Sequence, residues 1–532
     1  MRESIQLLTI ASLLTVAVFV LLYCFKLHYE VAGIRTYYKD KKRDWFNILL
    51  LLASALLVKL IFASYYNGHE TDMNCFYSWS NMIFEHGIGE FYHLDAFTDY
   101  PPGYMLILWV IAGVRRIFSI DTVSAAGRVL IKLVPVLCDL GAGFLVYCLA
   151  KRRFSELSSL LLSLTYVLNP VVILDSSVWG QTDSVFTLTV LLTCYLCMEK
   201  KRIPAYFTFA VGVLMKPQTL IFTPILIWTV IEQVFLEDFN RKKLIRDLAG
   251  GLAAIVAMIL IVLPFGIDKV MGQYMDTLGS YEYCTINAYN IWGLAGLNWT
   301  EQTGTFLFMQ YRHWGMLAIL AAVVLSGWIF FRMKEDRSKY FISMSVIVST
   351  VFLFSVRMHE RYLFPVVALT LCAFLVKPAK ELFFTYAGFS IVQFINIFHV
   401  YYNFEDNHST DSQGGIIGFT AVLTLAVYVY MLLTFRAETA ICPMVERPAK
   451  REKNGRIRSY IQNRRAEEKE SPQKKIPVYA SRRMPKFTKW DWIVLGSILA
   501  LYSAFALYDL GKADAPETEW NARQPGEEII LD

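Results

Sequence analysis

Long apolar runs alternate along this chain with short polar segments of two kinds, basic clusters and acidic–aromatic motifs. A helix needs about 20 mostly apolar residues to cross the hydrocarbon core of a membrane. The runs reach or approach that length without the period-2 alternation of a membrane barrel. Unpaired backbone groups are intolerable in lipid, so the runs are expected to be helices. Spans are predicted over 46–66, 156–174, 184–198, 203–215, 218–236, 248–267, 313–331, 339–356, 362–376, 382–402, 416–435 and 490–510. A first run, 5–25, is followed by no small-residue cleavage pattern and reads as a retained span. Between Tyr100 and Lys151 the chain must cross an odd number of times, yet 103–119 and 128–150 both look able to span. One of them is expected to be re-entrant or interfacial, which would leave Arg115, Arg116, Arg128 or Lys132 on the outer side. The alternative is an ordinary cytoplasmic turn between two full spans. The expected fold is all-α, a polytopic bundle of about fourteen transmembrane helices with both termini outside.

The basic clusters orient the bundle. They fall at Lys39–Arg43, Lys151–Arg153, Lys200–Arg202, Arg241–Arg246, Arg332–Lys339, Lys377–Lys380 and along 436–489, and the positive-inside rule assigns them to the cytoplasm. The segments 67–100, 175–183, Lys216, 268–312, 357–361 and 403–415 then lie outside. The net charge is +6, but 436–489 alone holds 16 Lys and Arg against 6 Glu, so the rest of the chain is net acidic. With Pro472, Pro477 and Pro485, that stretch reads as a solvated cytoplasmic linker able to touch anionic lipid. The polytopic domain is thus 1–435 and the linker 436–489, followed by a final span at 490–510 and an outer tail at 511–532. The tail ends in Ile529-Ile530-Leu531, which reads either as the first strand of an outer β domain or as a short disordered end.

Composition narrows the class further. At 55% hydrophobic, 18% charged and mean hydropathy +0.42, the chain is neither a soluble globular domain nor a nucleic-acid binder. Nine scattered cysteines form no disulfide or zinc framework, and the Cys194–Cys197 spacing lies inside an apolar run where packing explains it.

Chemistry concentrates in the outer segments. Asp72, just past a span, is a carboxylate reachable from water yet bordered by low dielectric, a setting for a general base; Glu70 and Asp99 compete for that role. The aromatic residues from Phe76 to Tyr92 suggest short helices lying in the headgroup belt. Asn169-Pro170 leads to Trp179-Gly180-Gln181-Thr182-Asp183, a set of indole, amide and carboxylate groups suited to sugar. Lys216-Pro217-Gln218 interrupts an apolar stretch with a lysine that needs an anion or a wet cavity, unless it snorkels. Arg357-Met358-His359-Glu360-Arg361-Tyr362 gathers ionisable groups suited to a membrane-embedded phosphate, or to internal pairing of Glu360 with an arginine.

Taken in order, Asp72, Asp99-Tyr100-Pro101-Pro102-Gly103, Asn169-Pro170 with Trp179 to Asp183, Lys216-Pro217-Gln218 and His359-Glu360-Arg361-Tyr362 resemble the GT-C glycosyltransferases over about residues 45–400. Within them the chain is most similar to bacterial proteins related to the second mannosyltransferase of GPI-anchor assembly. More distantly it is similar to the dolichyl-phosphoglucose glucosyltransferases. The resemblance implies an inverting hexosyltransferase, with mannose the expected sugar, in the cell membrane and with its site on the extracytoplasmic side. The donor would be a polyprenyl-phosphate sugar and the acceptor a glycan, lipid or protein. Asp72 would be the catalytic base. Glu70, Asp99, Tyr100, Trp179, Gln181, Asp183, Lys216, Gln218, His359, Glu360 and Arg361 would bind substrate, with His359, Arg361, Lys216 or an arginine from 115–128 compensating the phosphate. No cofactor is required by this scheme; a divalent ion held by Asp72 and Asp183 is the less favoured variant. A transporter or flippase of lipid-linked sugars is the rival class. It predicts charges spread through the depth of the bundle and an inverted repeat, and the sequence displays neither.

Overall fold

The computed structural model describes residues 41–94, 96–237, 239–279, 281–334, 336–402 and 414–434. The expected spans at 5–25 and 490–510, the basic linker and the tail lie outside the described residues. The rest is helical except for two pairs of two-residue strands.

Helix α1 (Lys41–Tyr65) leads to the end of the molecule where the polar motifs collect. There α2 (Glu70–His86) and α3 (Pro102–Ile117) pack together, and α4 (Ala125–Ala150) returns beside α1. Arg128 reaches the Ser64 carbonyl at 2.8 Å at one end of the α1–α4 pair, and Lys151 meets Asp44 at 3.2 Å at the other. The two helices are therefore antiparallel, and α4 makes the return passage. Helix α3 stays with α2, its Arg115 bonded to Ser80, Asn81 and Thr122 and its Arg116 to Glu85. Of the two segments left open, only 128–150 lies in a helix long and apolar enough to cross a membrane, whereas α3 is 16 residues long.

The next passage is broken. Helix α5 (Glu156–Val167) meets α6 (Pro170–Ile173), which runs on as a π-helical turn Leu174–Trp179, with a 49° bend between them. Pro170 lacks the N–H that a continuous helix would use. Asn169 fixes the corner, its side chain accepting from the Val171 N–H and donating to Tyr386 and Ser390. Helices α7 (Asp183–Met198) and α8 (Arg202–Met215) follow; then a 3-10 turn from Pro217 leads into α9 (Pro224–Val230) and another π turn. Helix α10 (Arg241–Val262) returns to α11 (Ile267–Gly279) on the motif-bearing end. A loop carrying β1 (Thr285–Ile286), α12 (Ile291–Leu294) and the hairpin β2 (Thr305–Phe306) and β3 (Met309–Gln310) precedes α13 (Tyr311–Arg332) and α14 (Lys339–Phe354). The strand β4 (Met358–His359) pairs in parallel with β1, placing Ile286 beside His359. Helices α15 (Pro365–Val376), α16 (Lys380–Tyr402) and α17 (Gly414–Thr434) complete the described bundle.

Seven of these helices are long and apolar enough to cross a membrane, eight counting the bent pair. This is a multi-pass membrane protein. The expected fourteen crossings are not reached among the described residues, because α7, α8, α14 and α15 are apolar but only 16, 14, 16 and 12 residues long. Helices α14 and α15 are almost wholly buried and form the core with α16, whereas α10 and α13 carry exposed apolar flanks such as Leu252 and Val324, as lipid-facing helices do. A 12-residue helix rises only about 18 Å, so the loop before α15 can reach below the rim of longer neighbours.

The two ends differ in charge chemistry as the loop pattern predicts. At the end away from the motifs, Arg152 and Arg337 share Glu199, Arg202 holds Asp247, Lys377 holds Asp336 and Lys339 holds Glu232. One buried pair lies between the ends. Lys59 of α1 bonds Asp139 of α4 at 2.8 Å, together with the Val172 carbonyl and Ser176, with both side chains wholly buried.

This pair yields a stability prediction. Removing one partner of a buried ion pair costs roughly 3–5 kcal/mol, whereas an apolar replacement of both is close to neutral. Lys59→Met is expected to lower the thermal unfolding midpoint of the detergent-solubilised protein sharply, and Lys59→Met/Asp139→Leu to recover most of the loss.

Candidate active site

The broken helix delivers the first group. After the π turn, Gly180 adopts φ +94°, and a Cβ there would lie 2.6 Å from Met73 Sδ, so the chain can turn here only with glycine. Gly68 does the same across the contact, at φ +96° and 2.7 Å from the Trp179 carbonyl. The His69 N–H donates to that carbonyl at 2.9 Å, and the His69 and Trp179 rings stack with centroids 4.5 Å apart. The start of α2 is thereby locked to the turn before α7. Lys132 holds the same junction from beneath through the Tyr66, Ser177 and Val178 carbonyls, so it serves the scaffold.

Asp72 occupies the first turn of α2. The Trp179 indole N–H donates to its Oδ2 at 2.6 Å, His69 Nδ1 lies at 3.3 Å and Arg361 at 3.7 Å. Burial alone would raise this carboxyl. Arg361 foremost, then His69 and the Trp179 and Gln181 hydrogen bonds, outweigh it and hold the group at about 2. Asp183 opens α7 fully buried, bonded to Lys216 at 2.6 Å and 3.6 Å from Arg361 Nε. Lys216 stands in extended conformation at the break before Pro217, where proline disfavours helix, with its ammonium near the Tyr100 and Phe186 rings. Arg361 lies over the Trp179 ring at 5.0 Å and also pairs with Glu360. The Tyr100 hydroxyl binds Gln181 and Thr182. Asp99 accepts from Tyr281, and burial, then the charge of Asp72, push it up to about 6.

These groups surround one cavity of about 710 Å³. Asp72, Asp99, Tyr100, Trp179, Gln181, Lys216, Gln218, His359, Glu360 and Arg361 all line it, and Asp183 lies directly behind Lys216 and Arg361. Glu70 is the exception, exposed on α2 and absent from the lining. Two side chains take roles other than those expected. Trp179 retains 1% exposure and offers no open ring face to a sugar; it positions Asp72 and Arg361. Burial first, then the Arg361 charge, bring His359 down to about 3, so its charged form is disfavoured while Arg361 stands beside it. The arginines at 115, 116 and 128 do not line the cavity. The cations that do are Lys216, Arg357 and Arg361. The loop 281–299 contributes Tyr281, Asn287 and Trp299, which no sequence motif singled out.

The arrangement does not suit the divalent ion held open as a variant. Asp72 and Asp183 both face the Arg361 guanidinium, and Lys216 takes the other oxygen of Asp183. Among the described residues no group of three or more His, Cys, Asp or Glu is arranged around a shared point.

Comparison with protein families now adds to this geometry, since residues 97–356 match glycosyltransferase family 87. Those residues are a family 87 glycosyltransferase domain. The chain thus contains a GT-C-type membrane glycosyltransferase domain, which implies a sugar donor and an acceptor of kinds the match leaves unspecified. The family 87 match takes in Asp99 through Lys216 and the 281–299 loop, but it begins after Asp72 and ends before His359. Two walls of the family 87 cavity therefore come from flanking segments that the fold brings against it. No curated protein matches the chain.

Asp99 gives a test of the electrostatics. A carboxyl raised to about 6 when folded favours the protonated form, so it costs stability as pH rises from the unfolded value of 3.8 toward 6, and the full cost is present above that. Asp99→Asn is expected to stabilise the protein at pH 7.5 by up to about 3 kcal/mol. Thermal unfolding as a function of pH should show the gain vanishing below pH 4.

Proposed function

We propose that the protein is an inverting hexosyltransferase that takes a sugar from a polyprenyl-phosphate donor and passes it to an extracytoplasmic acceptor, with mannose the favoured hexose. The observation that carries this reading is the composition of one cavity, whose lining combines three carboxylates, Asp72, Asp99 and Glu360, and three cations, Lys216, Arg357 and Arg361, with a set of apolar side chains. The apolar part of the lining includes Ile221, Phe222, Val348, Val351 and Phe352, with Leu220 and Ile319 44% and 41% exposed on the apolar flank of the bundle. A donor with a charged head and a hydrocarbon tail is complementary to both parts. The segregation of basic clusters to the far end supports an outward-facing site. A nucleotide sugar, confined to the cytoplasm, would not reach it.

The chemistry follows from the groups present. Asp72 removes the proton of the acceptor hydroxyl as its oxygen attacks the anomeric carbon. The bond from that carbon to the phosphate oxygen breaks, and the prenyl phosphate leaves with the electron pair. A phosphate monoester needs charge compensation more than protonation on leaving, and Lys216, Arg357 and Arg361 supply it. Asp72 then returns the proton to water. Tyr100 and Gln181, hydrogen-bonded to each other, and Asp99 with Tyr281 present the polar edge that would take sugar hydroxyls.

Purified protein assayed with synthetic polyprenyl-phosphomannose and polyprenyl-phosphoglucose tests the reading. Asp72→Asn is expected to lower the transfer rate at least about 100-fold, in the range typical of a lost general base, while still binding donor. Wild-type activity in that variant would remove Asp72 from its role, and preference for a soluble nucleotide sugar would overturn the donor class.

A further inference from the structure

We propose that Arg361 is a donor-operated clamp on the base: it holds Asp72 in the free enzyme, and the phosphate of an arriving donor draws it away, so that Asp72 can accept a proton only once donor is in place. This rests on the reading of the cavity as a prenyl-phosphate site, and it adds an order of events to that reading.

Three carboxylates share the guanidinium: Glu360, Asp183 at 3.6 Å and Asp72 at 3.7 Å. They are not held alike. Glu360 and Asp183 have 4% and 0% of their side chains exposed, and Asp183 has Lys216 as a second partner, whereas Asp72 is 23% exposed and makes the longest of the contacts. The Asp72 contact is therefore the one a ligand entering the cavity can replace. The nitrogen that faces Asp72 is Nη1, whereas Nε faces the buried Asp183, and a planar fork of donors matches a phosphate.

The geometry of inversion favours the same opening. The base and the leaving group must stand on opposite faces of the anomeric carbon, and the paired groups of inverting glycosidases are separated by about 6.5–9.5 Å. With Arg361 3.7 Å from Asp72, a phosphate oxygen bonded to the same nitrogen at about 2.9 Å stands at most at the short edge of that range. Trp179 provides the fixed point for the change, because its N–H holds Asp72 at 2.6 Å while its ring face carries the guanidinium. Arg361 can slide over the ring while the carboxylate stays in position. The charge logic agrees: with Arg361 adjacent, Asp72 is held at about 2 and is a feeble base, and burial would raise it once that charge has moved. An acceptor bound without donor would then meet an inert carboxylate.

Competition for one arginine is reciprocal, and couplings between ligands at shared groups commonly reach about 5–150-fold. Binding of farnesyl phosphate and of farnesol to the full-length protein in nanodiscs should be measured for wild type, Asp72→Asn, Asp99→Asn and Arg361→Lys. Asp72→Asn, which keeps an oxygen for the Trp179 bond, is expected to bind farnesyl phosphate at least about 5-fold tighter than wild type, with farnesol unchanged. The gain should be absent when Asp72→Asn is made on Arg361→Lys. An unchanged or weaker affinity in Asp72→Asn, with the wild type still preferring the phosphate, would overturn the clamp alone. An equal gain in Asp99→Asn would attribute the effect to the general field of the cavity and would also overturn the clamp. Equal wild-type affinity for farnesol and farnesyl phosphate would instead overturn the donor reading beneath it.

Discussion

A guanidinium cannot shed its proton on burial, and everything around Arg361 is arranged to meet that constraint. Its side chain is 13% exposed, and the neighbouring carboxylates come from three separate segments: Asp72 from α2, Asp183 from the start of α7 and Glu360 from its own loop. Lys216, from the break before Pro217, balances Asp183. The charges thus tie four chain segments to one point. Burying them is costly, and that cost is met only when all four segments are in place. The site and the packing of this end of the bundle are therefore one cooperative unit.

Irregular backbone makes the convergence possible. Within a bilayer, non-helical segments are tolerated where they are buried in protein or line a cavity, and several of the key groups here sit at or beside such places. Trp179 ends a π turn, and Gln181 follows the left-handed Gly180 after it. Lys216 stands in an extended residue between helices. Met358 and His359 form a two-residue parallel ladder with the loop 285–286. The short buried helices α14 and α15 allow this last motif to lie within the bundle instead of capping it.

Much of this was legible from the sequence because hydropathy and charge act at long range along a chain. The apolar runs located nearly every described helix, and the basic clusters separated the two ends without reference to the motifs. Details set by contact were not legible. Glu70 and Asp72 are two residues apart, and on a helix such neighbours point in different directions; only the packing of α2 decides which one enters the cavity. His359 looks cationic in a basic motif, yet burial, then the charge of Arg361, push it toward the neutral form. Trp179 looked like a sugar platform until His69 and Arg361 covered it. Tyr281, Asn287 and Trp299 lie in a loop with no periodicity to read. The Lys59–Asp139 pair did leave a signal, a lone lysine and a lone aspartate within separate apolar runs, which in lipid implies that each has found the other.

The remaining question of which carboxylate serves as base turns on what an empty site reveals. Asp99, lifted to about 6, is the stronger base before substrate arrives, and Asp72, at about 2, the weaker. Basicity in the free enzyme is the wrong criterion, because the charges that set it are those a phosphate donor would redistribute. Asp99 depends on burial and on a carboxylate neighbour, and its contact with Tyr281 places it among groups suited to binding. Asp72 depends on Arg361, the group best placed to follow the leaving phosphate. A base whose strength rises as the leaving group is gripped is matched to the step it serves, whereas one already strong in the empty cavity would be free to activate water against any sugar that entered. On the proposed reading, that difference favours Asp72 as the base and leaves Asp99 to recognition.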